Sequence, residues 1–129
     1  MDKINKLKNK NVLSIGIPVH NGADFIIDTI NSVRKSDSKA PIVISNNFST
    51  DQLIPKLNKY KKDTNEKNIY LSNTKNFLSL TNNIKRTIKI AKSKYILLLS
   101  SNDLISKNYI KKVKKIILKK KTRSNITQL

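Results

Sequence analysis

The chain has 129 residues, which allows one domain with a single hydrophobic core and excludes a multidomain protein. It contains 27 Lys and Arg against 8 Asp and Glu, and the resulting net charge of +19 predicts attraction to polyanions such as nucleic acid, anionic lipid or phosphorylated ligands. Because cysteine is absent, disulfides and thiol-bound metals are excluded.

Four apolar stretches alternate with four helical patterns along the chain. Strands are predicted at residues 12–19, where Pro18 is expected to end the strand, and at residues 41–44, 68–72 and 94–99. Helices are predicted at residues 23–35, 52–61, 78–92 and 106–121. This alternation with short loops predicts an α/β fold, a Rossmann-like parallel sheet with helices on both faces. We expect a basic lead-in over residues 1–11, one domain over residues 12–121 and a polar tail over residues 122–129.

The two later helices have clear apolar faces. In the third predicted helix the residues on one face are Leu80, Ile84, Ile88 and Ala91, the pattern of a helix packed on a core. In the last, Ile110, Val113 and Ile117 share one face and lysines occupy the rest. Such a helix is predicted to be amphipathic, packed on the sheet and solvated outside.

Polar clusters follow three of the predicted strands. They are His20-Asn21, Asn46-Asn47 and residues 100–103, and Asp103 is the only acidic residue after Glu66. Ligands of open α/β sheets bind just beyond the carboxyl ends of the strands, so the clusters predict a nucleotide-type crevice. The residues also allow a simpler interpretation, in which His20, Asn46 and Asn47 only form turns and Asp103 caps a turn or a helix.

Three segments in register resemble glycosyltransferase family 2, whose members have the GT-A fold. LSIGIPVHNGADFI (13–26) is similar to the opening strand and "IPxYN" turn, and ISNNFSTD (44–51) to the "VDDGSTD" or "SDNASTD" motif. SKYILLLSSNDL (93–104) resembles "GKYILFLDSDDL", which contains the metal-binding DxD element. Between them, NTKNFLSLTN (73–82) is similar to the "N..N.G...N" stretch. The likeness covers roughly residues 12–118, the nucleotide-sugar-binding half of such an enzyme.

The resemblance implies a site and a reaction. Members of the family transfer a sugar from a nucleotide-diphosphate donor to a saccharide acceptor, and the original substrates here would be a pyrimidine nucleotide-sugar and a surface polysaccharide. Pro18 and His20 then lie where the first turn contacts the base, and Asn47 where the pyrimidine edge is recognised. Asn102 would approach the ribose and diphosphate. Asp103 would bind Mn²⁺ or Mg²⁺, which stabilises the charge of the departing diphosphate.

The chain also departs from the family pattern. Asn46, in the nucleotide-binding motif, and Ser100 and Asn102 stand where acids are usual, so Asp103 is the one carboxylate of its cluster. Weaker metal binding is therefore expected. The family's acceptor-binding half and catalytic base lie downstream of the metal motif. We thus expect a truncated glycosyltransferase domain that is inactive alone, and no catalytic residue is assigned.

The charge leaves a second function open, a non-catalytic basic module. Its partner would be an anionic membrane surface, contacted by the lysine-rich last helix, or nucleic acid. Nucleic acid is disfavoured because the lysines are dispersed and lack interleaved aromatic residues. The basic start has no hydrophobic signal core, and no apolar run reaches the roughly 18 residues of a membrane span. We therefore expect a cytoplasmic protein, with peripheral attachment to the inner face of the membrane left open.

Overall fold

The computed structural model describes the backbone of residues 12–127 and the side chains of residues 12–120. The predicted basic lead-in lies outside the described residues. All eight predicted elements are present. The strands are β1 (Leu13–Val19), β2 (Ile42–Asn46), β3 (Ile69–Asn73) and β4 (Tyr95–Leu98). The helices are α1 (Ile26–Ser36), α2 (Leu53–Thr64), α3 (Leu80–Ala91) and α4 (Tyr109–Thr127).

The four strands form one parallel sheet in the order β3-β2-β1-β4. The chain moves from β1 to β2 and β3 on one side of the sheet, then crosses back through α3 to place β4 on the other side of β1. The strand order therefore reverses between β1 and β4, and open α/β sheets form a ligand crevice at the carboxyl ends of the strands at such a position. The predicted Rossmann-like α/β fold is confirmed.

One face of the sheet contains most of the hydrophobic core. Side chains alternate along a strand, so every second residue of β1, from Leu13 to Val19, points to this face. The apolar faces of α1, α2 and α4 cover it with Ile26, Ile30, Leu53, Leu57, Ile110 and Ile117. The predicted inward residues Ile110 and Ile117 of the last helix are thus confirmed, whereas Val113 is only partly buried against this core.

Among the described helices α3 alone covers the other face, and its predicted apolar face is not the side that is most buried. The side chains that α3 buries are Asn83 and Thr87, whereas Leu80 and Ile88 of the predicted apolar face are exposed. The sheet surface beneath leaves little room at Gly16, where an added Cβ would lie 2.8 Å from Thr87 Cγ2 and 2.6 Å from Ile96 Cδ1. The helix therefore packs through short polar side chains, and part of its apolar stripe is left exposed.

Polar hydrogen bonds fasten α3 to the sheet. Asn83 Oδ1 accepts from Ser45 Oγ at 2.6 Å, and Asn83 Nδ2 donates to Ser45 O at 3.2 Å. The Arg86 guanidinium donates to Ser45 Oγ and to Ser72 Oγ, both at 2.6 Å, and to the carbonyl of Asn73 at 3.1 Å. These bonds satisfy buried polar groups and set the positions of the ends of β2 and β3.

Most element boundaries differ from the prediction by one to three residues, and two differences are instructive. Pro18 does not end β1, since Val19 still pairs with Asn46. Pairing of β1 with β4 stops at Gly16 and Leu98, so the missing N–H of Pro18 removes no bond of the ladder. Helix α4 begins at Tyr109 and continues to Thr127, six residues beyond its predicted end at 121.

Near the amino ends of the strands an ion pair connects α1 to the loops before β2 and β3. Arg34, in the last turn of α1, forms two hydrogen bonds with Glu66, from Nε at 2.8 Å and from Nη2 at 2.9 Å. Arg34 Nη1 also donates to the carbonyl of Ala40 at 2.7 Å. The hydrogen bonds from Arg34 outweigh burial and lower the pKa of the Glu66 carboxyl below its usual value.

Candidate functional site

The turns after β1 and β2 are fastened to each other by Asn21 and Asp51. Asn21 adopts a left-handed backbone, with φ of 54°, which Asn tolerates better than most residues. Its Oδ1 accepts from Thr50 N at 2.7 Å, and its own N–H donates to Ser49 Oγ at 2.9 Å. Asp51 Oδ2 accepts from Ala23 N at 2.9 Å. The two turns therefore form one rigid wall of the crevice.

His20 lies on this wall with its ring orientation fixed. Its Nδ1 is 2.7 Å from the carbonyl oxygen of Asn47. Because a carbonyl can only accept, Nδ1 bears the hydrogen, and Nε2 accepts from Asn21 Nδ2 at 3.3 Å. The ring also meets Phe77 edge to face, with centroids 5.0 Å apart. His20 and Phe77 are both exposed, so the pair offers an aromatic surface to solvent at the mouth of the crevice.

Asn46 and Asn47 are buried, and their carboxamides bind the protein itself. Asn47 is 3% exposed; its Oδ1 accepts from Leu78 N and its Nδ2 donates to Leu78 O, both at 2.8 Å. Asn46 Nδ2 donates to Asn73 Oδ1 at 2.9 Å, and its Oδ1 accepts from the hydroxyl of Ser49. The two side chains thus fix the loops around the crevice.

The loop after β4 carries Asp103 and touches the first turn. Asp103 Oδ2 accepts from Ser100 N at 2.8 Å, while its Oδ1 has no hydrogen-bond partner among the described residues. Asn102 Oδ1 accepts from the Ser100 hydroxyl. A Cβ placed on Gly22 would lie 2.8 Å from Ser101 Oγ, so this turn approaches the loop as closely as only glycine allows.

Three hydroxyls on one side of α1 form hydrogen bonds with the segment that runs from the end of β4 into α4. Thr29 Oγ1 donates to the carbonyl of Ser101 at 2.9 Å. Ser32 Oγ accepts from Ile105 N at 3.2 Å, and Ser36 Oγ accepts from Ile110 N in the first turn of α4 at 3.0 Å. The position of Asp103 relative to the first turn is therefore set by α1.

The oxygen donors fit a divalent cation only if the ligand contributes. Within the described residues, no three His, Asp or Glu side chains come together as a metal site. Asp103 offers one free carboxylate oxygen, and the Asn102 amide and Ser100 hydroxyl are beside it. Mg²⁺ is commonly held by one or two carboxylates together with substrate phosphates, so this donor set suits a cation shared with a diphosphate rather than a protein-only cage.

A family model supplies the identification. The model for glycosyl transferase family 2 matches residues 14–128. The chain belongs to glycosyltransferase family 2. Comparison with curated proteins finds no match. The predicted family and the GT-A fold of its nucleotide-binding half are thereby confirmed.

Solved structures share the fold of this family 2 domain. Staphylococcus aureus TarS residues 1–349 in complex with UDP has a TM-score of 0.70 at 24% identity, over 83% of this chain and 32% of that one. The TarS complex with UDP-GlcNAc has a TM-score of 0.68 at 25% identity, over 83% of this chain and 31% of that one. Mannosyltransferase PcManGT from Pyrobaculum calidifontis, in complex with GDP-Man and Mn²⁺, has a TM-score of 0.65 at 14% identity, over 72% of this chain and 28% of that one. The family 2 domain thus spans about a third of the length of these chains.

The predicted site residues of the family 2 domain divide into two groups. His20, Asn102 and Asp103 are exposed along the crevice, whereas Asn46 and Asn47 lie beneath it and Pro18 is half-buried within β1. The structure gives roles to residues that were assigned none from the sequence: Asn21, named only as part of a strand-end cluster, Asp51 and Phe77 on one wall, and Thr29 and Ser32 under the other. The Asn-Gly pair after β1 and the "STD" triplet after β2 were the available signals for the first two.

Proposed function

We propose that this domain binds a pyrimidine nucleotide-diphosphate sugar together with Mn²⁺ or Mg²⁺, for transfer of the sugar to a saccharide acceptor. The observation that carries the proposal is the joining of three strand ends into one crevice. Asn21 binds the turn after β2, and Gly22 adjoins Ser101 in the loop that contains Asp103. The relatives that share this fold were solved with UDP, UDP-GlcNAc and GDP-Man.

The base would lie on the aromatic wall. His20 and Phe77 present exposed rings there, and His20 is held in place by Asn47 O. The sequence predicts a direct contact between the Asn47 amide and the base, and that contact stays a prediction. In the structure both ends of the amide bind Leu78. In our proposal Asn46 and Asn47 act by holding the loops on which the base rests, and Pro18 supports the first turn from within β1.

The diphosphate would lie beside the loop after β4. Asp103 Oδ1 and the Asn102 side chain would hold the cation and the ribose-diphosphate. When bound, the cation neutralises the charge that grows on the departing nucleotide diphosphate. An excess of 19 positive charges over the whole chain favours such an anionic ligand. No residue of this chain is proposed as the catalytic base.

Calorimetric titration tests the proposal. UDP, CDP, dTDP and GDP are each titrated into the protein with and without Mn²⁺. We expect binding of the pyrimidine nucleotides that strengthens with Mn²⁺, and weaker binding of GDP. Absence of binding at millimolar nucleotide would refute the proposal, and equal binding of GDP would refute its pyrimidine part.

A pair of variants tests the metal assignment. Asp103→Asn should keep weak nucleotide binding and lose its dependence on Mn²⁺. Asp63→Asn, at an exposed carboxylate in α2, is the matched control and should behave like the unchanged protein. An Asp103→Asn protein that still gains affinity from Mn²⁺ would show that the cation binds elsewhere.

A further inference from the structure

One side of α4 is exposed and combines lysines with apolar residues. Its members are Tyr109, Lys112, Ile116, Lys119 and Lys120, which we call the Ile116 face. Spacings of three and four residues place them on one side of the helix. Ile116 is 65% exposed, and Tyr109 and the three lysines are also exposed. An apolar centre surrounded by lysines is therefore presented to solvent.

A different side of α4 is fixed to the domain. Ile110 and Ile117 lie in the core beneath the sheet. Lys114 Nζ forms an ion pair with Asp37 Oδ2 at 2.8 Å, at the end of α1. Because these contacts prevent rotation of the helix, Ile116 cannot turn inward without dismantling the core.

The charge of α4 is of one sign. The helix contains seven lysines and one arginine and no acidic residue. Among the described residues, none of the lysines of the Ile116 face forms an ion pair. Their charges are therefore available to an external anionic surface, and the attraction falls with rising salt.

We propose that the Ile116 face docks on an anionic lipid bilayer. Lysine side chains can lay their methylene stems along an apolar surface while the ammonium groups reach the headgroups. Ile116 and Tyr109 would then enter the interface between headgroups and acyl chains, as in other amphipathic interfacial helices. A nucleic acid would attract the same lysines but gives an exposed isoleucine no apolar partner. None of the helices in the described part of the chain has the length and hydrophobicity to cross a bilayer, so the contact is with the surface.

Vesicle binding by the full chain tests the inference. Co-sedimentation is measured with vesicles of phosphatidylcholine alone and of equal parts phosphatidylcholine and phosphatidylserine. We expect binding to the second kind only. Each lysine near an anionic surface contributes about fivefold, so Lys112→Gln/Lys119→Gln should weaken binding about 25-fold. Ile116→Ser should weaken it as well, because the apolar insertion is lost. Binding that does not require phosphatidylserine would overturn the proposal, as would no binding at all.

Matched variants separate this face from the general positive charge. Lys59→Gln/Lys62→Gln removes two exposed lysines from α2, and Ile88→Ser removes an exposed isoleucine from α3. Both should leave vesicle binding unchanged, and circular dichroism confirms that each variant is folded. An equal loss in both lysine pairs would attribute binding to net charge and overturn the proposal. Tighter binding to a random oligonucleotide, weakened by Lys112→Gln/Lys119→Gln but not by Ile116→Ser, would overturn it in favour of nucleic acid.

Discussion

Asn47 binds both backbone groups of Leu78, accepting from its N–H and donating to its carbonyl at 2.8 Å each. The pair joins the end of β2 to the loop before α3. A carboxamide can satisfy a donor and an acceptor at once, whereas a carboxylate can only accept. Asparagine is therefore the residue that this buried contact requires.

Asn47→Asp tests that requirement. The carboxylate would face the carbonyl of Leu78 in a buried position, and we expect a loss of about 2 kcal/mol in the free energy of unfolding at neutral pH. Urea denaturation measures it. Asn58→Asp, at an exposed position of α2, makes the same chemical change without such a contact and should cost little. Equal stability of the Asn47→Asp and unchanged proteins would contradict the structural role of the amide.

Glu66→Gln should destabilise the domain by about 3 kcal/mol at neutral pH, because Arg34 loses the charge that compensates it. Both side chains are only 12% exposed. The pKa of Glu66 is lower in the folded protein than the ordinary 4.5, so the pair stabilises the fold fully above that pH. This stabilisation is lost as pH falls through the lowered pKa. Urea melts over a pH series should show the two proteins converging in acid, and a difference independent of pH would contradict the assignment.

Thr29→Val should loosen the loop that contains Asp103. The change keeps the shape of the side chain and removes its hydrogen bond to Ser101 O, at a cost of about 1 kcal/mol. If our proposed function holds, Mn²⁺-dependent nucleotide affinity should fall while metal-independent affinity is kept, as calorimetry can show. Thr64→Val removes a hydroxyl that bonds only within α2, to Tyr60 O, and should leave nucleotide binding unchanged. Identical titrations of the two variants would argue against a role for Thr29.

Gly22→Ala should force the first turn away from the loop after β4. The added methyl would lie 2.5 Å from Val19 Cγ2 and 2.8 Å from Ser101 Oγ, and such overpacking costs about 1–3 kcal/mol. Thermal denaturation measures the loss. Adding Ser101→Gly removes one of the two clashing side chains and should restore part of the stability. No recovery in the double variant would place the strain at Val19 alone.

Both α3 and β4 expose a large apolar side chain, and β4 is an open edge of the described sheet. Ile88 is 47% exposed and Leu98 38%, and β4 pairs with β1 alone among the described strands. Such edges promote self-association unless charged residues protect them. Leu98→Lys should therefore reduce self-association, which is measured as the rise of the sedimentation coefficient with protein concentration. Asn82→Lys, at an exposed position of α3, should leave it unchanged. Equal behaviour of the two variants would contradict this expectation.

Strand and helix positions could be predicted because they depend on local patterns of apolar and turn residues. The packed side of α3 could not be predicted from its own sequence. Its apolar stripe was the natural choice, but Thr87 packs closely over Gly16 and Asn83 forms a hydrogen bond with Ser45 instead. That outcome depends on strands distant in the sequence.

The candidate site shows the same division. The strand-end clusters were visible in the sequence, because turn and ligand residues gather where strands stop. The contacts that each of these side chains makes were not visible in the sequence. The amide of Asn47 looks available for a base until Leu78, 31 residues away, is seen to occupy both of its ends. Phe77, similarly, meets His20 only through the folded arrangement of two loops.

The hydroxyls of Thr29, Ser32 and Ser36 join partners 72 to 74 residues later in the chain. The residues between these partners form β2, α2, β3, α3 and β4, so the bonds depend on the assembled sheet. We therefore expect the loop with Asp103 to open more readily than the sheet. Amide hydrogens of Ile105 and Ile110 should exchange with solvent before those of β1. A destabilised variant would accordingly lose the crevice while most of its secondary structure is still intact.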